Sequence, residues 1–203
     1  MKRFFVADWH LGEDRFEIMG RPFTFTADHV ATIVQNHNQH VGKDDLVYVV
    51  GDVLYQKADP DVWLPWVGRM NGRKILIRGN HDRPFSDEQF APYFEQIVPE
   101  GHGVEINVDG LHCWVPHYPT QGRDDRFNIV GHIHGVWKVQ LNMLNVGVDV
   151  HHFSPIPEER INFFYNAICQ YFDEDAWVGY NPINTKFQNT RGKKGRYYGT
   201  DNK

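Results

Sequence analysis

The sequence predicts an α/β fold, and three observations carry that reading. Strand-like and helix-like segments alternate through the first 82 residues, the pattern of a parallel sheet with covered faces. A hairpin signal and further strand-like runs fill the second half. Asp, His and Asn recur where the apolar runs stop, and in open α/β sheets those strand ends line the ligand crevice.

The elements follow in order. Phe4 to Ala7 is a short apolar run ended by Asp8. Thr26 is a candidate helix cap, with Val30, Ile33, Val34 and His37 behind it at i, i+3, i+4 and i+7. The run in "DLVYVVGD" (45–52) has strand length and stops at Gly51-Asp52. Asp59-Pro60 supplies an N-cap with proline at the first helical position, and Val62, Trp63, Trp66, Val67 and Met70 form the apolar face. Pro65 inside that face argues against a regular helix. "RKILIRGNHD" is the next strand with its loop. Asp109-Gly110 then joins two strand-like runs, "RFNIVGHIH" is a strand running into polar residues, and "VWKVQLNMLNVGVDV" holds one or two more. "EERINFFYNAI", behind Pro155 and Pro157, is the last helix.

With 203 residues and 23.8 kDa, the chain is most simply one domain with a real core. The expected boundaries are a folded unit over 1–180 and a basic, peripheral or partly disordered tail over 181–203. A net charge of −5 gives the whole molecule no basic field for nucleic acid, yet Lys186, Arg191, Lys193, Lys194, Arg196 and Lys203 face only Asp201 in the tail. With Phe187, Tyr197 and Tyr198 as stacking groups, that tail is a candidate nucleic-acid contact, against the plainer reading of a solvated terminus. Cys113 and Cys169 lack CxxC spacing, which favours reduced thiols and a cytoplasmic location. No run reaches the length of a membrane span, and the apolar stretch after "MKR" is too short for a signal peptide.

Polar residues cluster at five strand ends: Asp8 and His10; Asp52; Asn80, His81 and Asp82; His117; and His132 and His134. Any one of these is commonplace as a turn or cap, but five in succession are not. Oxygen and imidazole donors without thiolates suit Mn, Fe, Zn or Ni. Seven donors (Asp8, His10, Asp52, Asn80, His117, His132, His134) exceed one tetrahedral ion and match two ions sharing a carboxylate. His29, His37, His40, His102, His112, His151 and His152 lack this context and read as structural or solvated.

Asp8-x-His10, Gly51-Asp52, Gly79-Asn80-His81-Asp82, His117 and Gly131-His132-x-His134 together resemble the signature blocks of the calcineurin-like metallophosphoesterases. "GRPF" (20–23) and "LNVGVDVHHFSPI" (144–156) resemble further segments of small bacterial and phage members. The resemblance implies an αββα sandwich, two mixed sheets flanked by helices, with a binuclear centre at one rim. It places Asp8, His10 and His134 on one divalent ion, Asn80, His117 and His132 on the other, and Asp52 between them, with Mn²⁺ the first choice of metal and Fe, Ni, Zn or Co as alternatives. His81 is implied as the proton donor to the leaving group, Asp82 as its orienter, and Arg78 as a phosphate-binding residue. The implied reaction is hydrolysis of a phosphate ester by a hydroxide shared between the ions. Tyr55 stands where many relatives are acidic, and the serine/threonine phosphatase form of the Gly51-Asp52 block is absent; that absence favours a phosphodiester or cyclic nucleotide over a monoester. The competing readings are a phosphomonoesterase, a nuclease using the basic tail, and a scaffold on the same fold.

Overall fold

The structure is a computed structural model, and it describes residues 1–140 and 142–171. The basic stretch 186–203 and the boundary expected near 180 lie outside the described residues. Strand β1 (Arg3–Val6) leads through a short helix α1 (Phe16–Met19) into α2 (Thr26–His40). Then come β2 (Leu46–Val49), α3 (Pro60–Val67), β3 (Arg73–Ile77), α4 (Asp87–Phe90) and β4 (Gln96–Val98). These alternating segments build the first sheet, in which β1, β2, β3 and β4 are parallel neighbours. Its outer edge is β10 (Ile156–Pro157), antiparallel to β1.

The second sheet takes β5 (Gly103–Val108), β6 (Leu111–Pro116), β7 (Phe127–Val130), β8 (Val139–Gln140) and β9 (Met143–Asn145) in the order β5-β6-β7-β9-β8. Both sheets are mixed, since the β5–β6 hairpin is antiparallel while β6–β7 and β7–β9 are parallel. The hairpin turns at Asp109 and Gly110, with φ of 49° and 90°, the paired positive values that a tight two-residue hairpin loop needs.

Alternation along β1 separates two cores. Phe4 and Val6 join Val47, Val49 and Leu76 beneath α2 and α3, with Val30, Ile33, Leu64 and Val67 on the helix side. Phe5, with Ala7 just beyond the strand, points the other way, meeting Tyr48, Val50 and Ile77 on their own sheet and Val115, Ile129 and Leu144 on the second. Helix α5 (Glu158–Tyr171) adds Ile161 and Ile168 to this inter-sheet core. The sheets are stitched together where the chain leaves β1. The Ala7 amide donates to the Val146 carbonyl, and the Val148 amide donates to the Ala7 carbonyl. That stitch holds the loops after β1 and β9 side by side, and the site stands there.

Two local expectations change. Thr26 is the first helical residue of α2 and does not cap it; its Oγ1 donates to the Glu13 carbonyl and bolts the preceding loop to the helix. Pro65 remains within α3, which is short and stops two residues later, so only a little helix has to tolerate the missing donor. Asp59 caps α3 as expected, accepting from the Asp61 amide. No helix among the described residues is long and apolar enough to cross a membrane.

Candidate metal centre

The five loops that carry the site extend the sheet pairing rather than leaving it. After β1 and β2, the amides of Asp8, His10 and Leu11 donate to the carbonyls of Gly51, Asp52 and Val53, each at 3.0 Å. The Gly131 amide donates to the His117 carbonyl, joining the loops after β6 and β7. The backbone is strained at the residues that carry donors. Asp8, His10, Asp52, His132 and His134 have φ of 61°, 49°, 57°, 76° and 47°, in the left-handed region that L side chains seldom occupy. Such strain persists only where surrounding contacts over-determine it, and functional sites are where it collects.

Asp52 is the hub. Its Oδ2 lies 3.5 Å from both His10 Nε2 and His117 Nε2, and its Oδ1 accepts from the His81 amide at 2.8 Å. Two groups of donors therefore share it: His10, Asp52 and His81 on one side, Asp52, His117 and His132 on the other, each with ligand atoms within 4.8 Å of one another. Asn80 Oδ1 stands 3.3 Å from His117 Nε2, and the His134 ring lies 4.8 Å from that of His10. Both oxygens of Asp8 face the His132 amide at 3.0 Å. All seven donors expected from the sequence thus converge on one rim, and His81 stands among them.

Close backbone approach makes this possible. A Cβ on Gly79 would lie 2.2 Å from Asp52 Oδ1, and one on Gly51 would lie 2.2 Å from His117 Nδ1. Glycine is thus required behind both donors.

The imidazoles are set for ligation. His117 Nδ1 is 2.7 Å from the Val50 carbonyl, which can only accept, so Nδ1 holds a proton. The Asp52 carboxylate outweighs burial and lifts the ring to about 9, so Nε2 faces Asp52 as a donor that a divalent ion would replace. His134 Nδ1 is likewise 2.9 Å from Asp149 Oδ2. Burial pushes His10 down to about 4, so it is a neutral ligand near neutrality. Burial alone would raise the Asp52 carboxyl, but His10 and His117 outweigh it and hold Asp52 well below the usual range, keeping it an anion. Both ring nitrogens of His10 and Nδ1 of His81 are buried without a hydrogen-bond partner. Unpaired buried nitrogens are costly, and divalent ions between them and Asp52 would satisfy them, so the donor set fits such ions.

Asp82 and Arg78 make contacts other than those the resemblance implies. Among the described residues, no hydrogen bond joins Asp82 to the His81 ring. The Asp82 carboxylate is fully buried and accepts from the amides of Val53 at Oδ1 and of Asp52 and Gly79 at Oδ2, each at 2.9 Å. It clamps the loops after β2 and β3 together. Burial, reinforced by the Asp52 charge, lifts its pKa to about 7. The Arg78 guanidinium is tied to Asp87 and to the carbonyls of Asp82 and Phe85, which closes the loop after β3.

Two residues carry a role that sequence reasoning missed. Arg21 is buried and donates to Asp149 through Nε at 2.7 Å and Nη2 at 2.9 Å, and to the carbonyls of Asp8 and Trp9. Asp149 in turn holds His134. The signal was present in "GRPF" and "VGVDV", the two segments that stood out without a function. Beside the donors opens a cavity of about 870 Å³, bounded by His10, His81, His132 and His134 on the floor. Arg15, Ile18, Met19 and Val136 are among its walls.

A two-sheet sandwich with two aspartate-linked imidazole clusters at the strand ends is the frame of a metal-dependent hydrolase. The chain belongs to the calcineurin-like phosphoesterase family, whose model matches residues 1–180. Members of that family hydrolyse phosphate esters with a binuclear divalent metal centre. The chain is similar to the Gene 66 protein of Mycobacterium phage D29, 34% identical over 200 residues, with 81% of this chain and 96% of that protein covered. The Gene 66 protein of Mycobacterium phage L5 is 34% identical over 82 residues, which span 40% of each chain. Among solved structures, a protein of unknown function from Aquifex aeolicus, AQ665, shares the fold with a TM-score of 0.64 and 20% identity, over 80% of this chain and 98% of that one.

Proposed function

We propose that the protein is a phosphodiesterase that works with two divalent ions, Mn²⁺ foremost, and that residues 1–180 form the catalytic unit with 181–203 as a basic appendage. The observation that carries this reading is Asp52 Oδ2, equidistant at 3.5 Å from His10 and His117. Asp8, His10 and His134 would hold one ion, Asn80, His117 and His132 the other, and Asp52 both. Bound there, the ions supply Lewis acidity to phosphoryl oxygens and lower the pKa of a nearby water. His81, whose ring lines the cavity floor, delivers a proton to the leaving oxygen through its Nε2. Asp82 fixes the loops that aim Asp52 and His81, and acts through position alone.

Two features favour a diester. The cavity leaves room for groups on both sides of a phosphate at the floor. Arg78 is engaged with its own loop, so it adds nothing to offset the extra charge of a monoester dianion. The Cys113 thiol, buried in the inter-sheet core, fits a cytoplasmic enzyme.

The test compares bis(p-nitrophenyl) phosphate, p-nitrophenyl phosphate and 2′,3′- and 3′,5′-cyclic nucleotides with Mn²⁺, Ni²⁺, Zn²⁺ or EDTA. The expected result is diester hydrolysis with kcat/KM about tenfold or more above the monoester, abolished by EDTA. A preference for the monoester would make the protein a phosphomonoesterase, and no hydrolysis with any metal would leave the scaffold reading.

A further inference from the structure

We infer that Arg15 binds a second anionic group of the substrate, a phosphate next to the scissile one, so that the preferred substrate is a phosphodiester with a neighbouring phosphate. This rests on the phosphodiesterase reading and narrows its substrate class. Arg15 is the one arginine or lysine among the described residues that line the cavity above His10, His81, His132 and His134.

Its placement is built rather than incidental. Nε and Nη2 form a fork on Glu13, at 2.9 Å to Oε1 and 3.1 Å to Oε2, which leaves Nη1 outside the pair. The guanidinium lies over the Tyr55 ring, 4.6 Å from its centroid. Tyr55 is itself 6.3 Å, ring to ring, from His81. One aromatic ring therefore separates the cation from the proposed proton donor, a spacing that suits a group adjoining the scissile phosphate rather than the scissile phosphate itself.

The carboxylate behind Arg15 strengthens the argument. An ordinary surface pair joins two exposed, mobile chains and contributes little. Here the arginine side chain is 48% exposed and its glutamate only 2%. Burying a carboxylate is costly unless it is fully bonded, and Glu13 Oε1 is, accepting from the amides of Asp14 and Arg15 as well as from Nε. Glu13 is fixed in turn by its own amide on the His10 carbonyl and by Thr26 Oγ1 on its carbonyl. The chain thus spans from the His10 loop to α2 to hold one guanidinium at the cavity wall with its rotamers already restricted, which lowers the entropic cost of gripping an anion. Glu13 lines the same cavity and balances the arginine's charge, so what faces phosphate oxygens is the uncommitted Nη1 donor of the guanidinium. Glu17, also on the wall, carries the opposite charge and sets the side from which an anion is excluded. Ile18 and Val136, 76% and 78% exposed, offer apolar surface to the rest of a nucleoside.

The test uses three dithymidine diesters with Mn²⁺: unphosphorylated, with a 5′-terminal phosphate, and with a 3′-terminal phosphate. In the wild type, one terminal phosphate should lower KM about tenfold with kcat little changed, and added KCl should shrink that gain. In Arg15→Gln the ratio of KM values between phosphorylated and unphosphorylated substrate should collapse towards one, and Arg15→Lys should restore part of it. If the wild type cleaves the unphosphorylated diester and neither phosphate changes KM, the inference is overturned while the phosphodiesterase reading stands. A discrimination that survives intact in Arg15→Gln overturns it equally. If no diester is cleaved with any metal, the failure lies with the function proposed above.

Discussion

Asp52 and His81 sit in the same small space, with the His81 amide on one oxygen of Asp52 and the His10 and His117 rings near the other. Their proposed roles nevertheless separate cleanly. Asp52→Asn removes the charge shared by both clusters, so ion content measured by elemental analysis should fall together with activity, to near background. His81→Ala removes a ring beside the ions, and two ions should stay bound while kcat drops about 10²–10⁴-fold. Loss of an ion from His81→Ala would make His81 a ligand, which its closeness to His10 and Asp52 also permits. At this scale the sequence was most legible. Asp, Asn and His at strand ends are chemical facts that need no coordinates. Arg78 was not legible, because an arginine beside a donor loop looks the same whether it faces solvent, substrate or three loop acceptors.

Among the elements, the short turn after β9 does more than connect strands. Asn145 donates through Nδ2 to the carbonyls of His134 and Trp137, and its Oδ1 accepts from the Gly147 amide. Asp149 then joins His134 to Arg21, and Arg21 reaches back to the carbonyls of Asp8 and Trp9. The turn thereby holds two donor loops in one register. Asp149→Asn keeps the shape but weakens the grip on the His134 ring and on Arg21. Divalent-ion affinity, measured by calorimetric titration, should fall about 10–100-fold, with a smaller change in Tm than in affinity. An unchanged affinity would show that His134 is oriented by packing alone. The segments "GRPF" and "VGVDV" stood out in the sequence, but their partnership spans 128 positions. No local pattern encodes a contact of that length.

For the whole molecule, buried histidines outside the centre set a pH response. His37 lies on the apolar face of α2, its Nε2 2.9 Å from the Asn71 carbonyl and its ring against Trp9. Burial pushes its pKa from 6.5 down to about 4. The unfolded chain therefore binds the extra proton between those values, so stability from the neutral ring is complete above pH 6.5 and is lost as pH falls towards 4. His37→Gln keeps a donor for Asn71 without titrating. Relative to wild type it should gain up to about 1.4 kcal/mol per pH unit across that window, read from urea midpoints. Comparing the two proteins cancels groups common to both, among them Asp8 and Asp82, whose pKa values burial raises to about 6 and about 7. A difference that does not vary with pH would mean that His37 is protonated in the fold.

By itself, the sequence determined the alternation of strands and helices and the hairpin at Asp109-Gly110, and it offered seven candidate donors at strand ends. All of these rest on interactions between near neighbours in the chain, so periodicity and turn chemistry reveal them. Only the tertiary structure decided which cation meets the cavity, what Asp82 holds, and that Arg21 and Asp149 tie the first donor loop to the last. Those outcomes depend on which loops the two stacked sheets bring into register. A side chain's partner across that register is set by the packing of the whole sandwich, and its neighbours in sequence carry no trace of it.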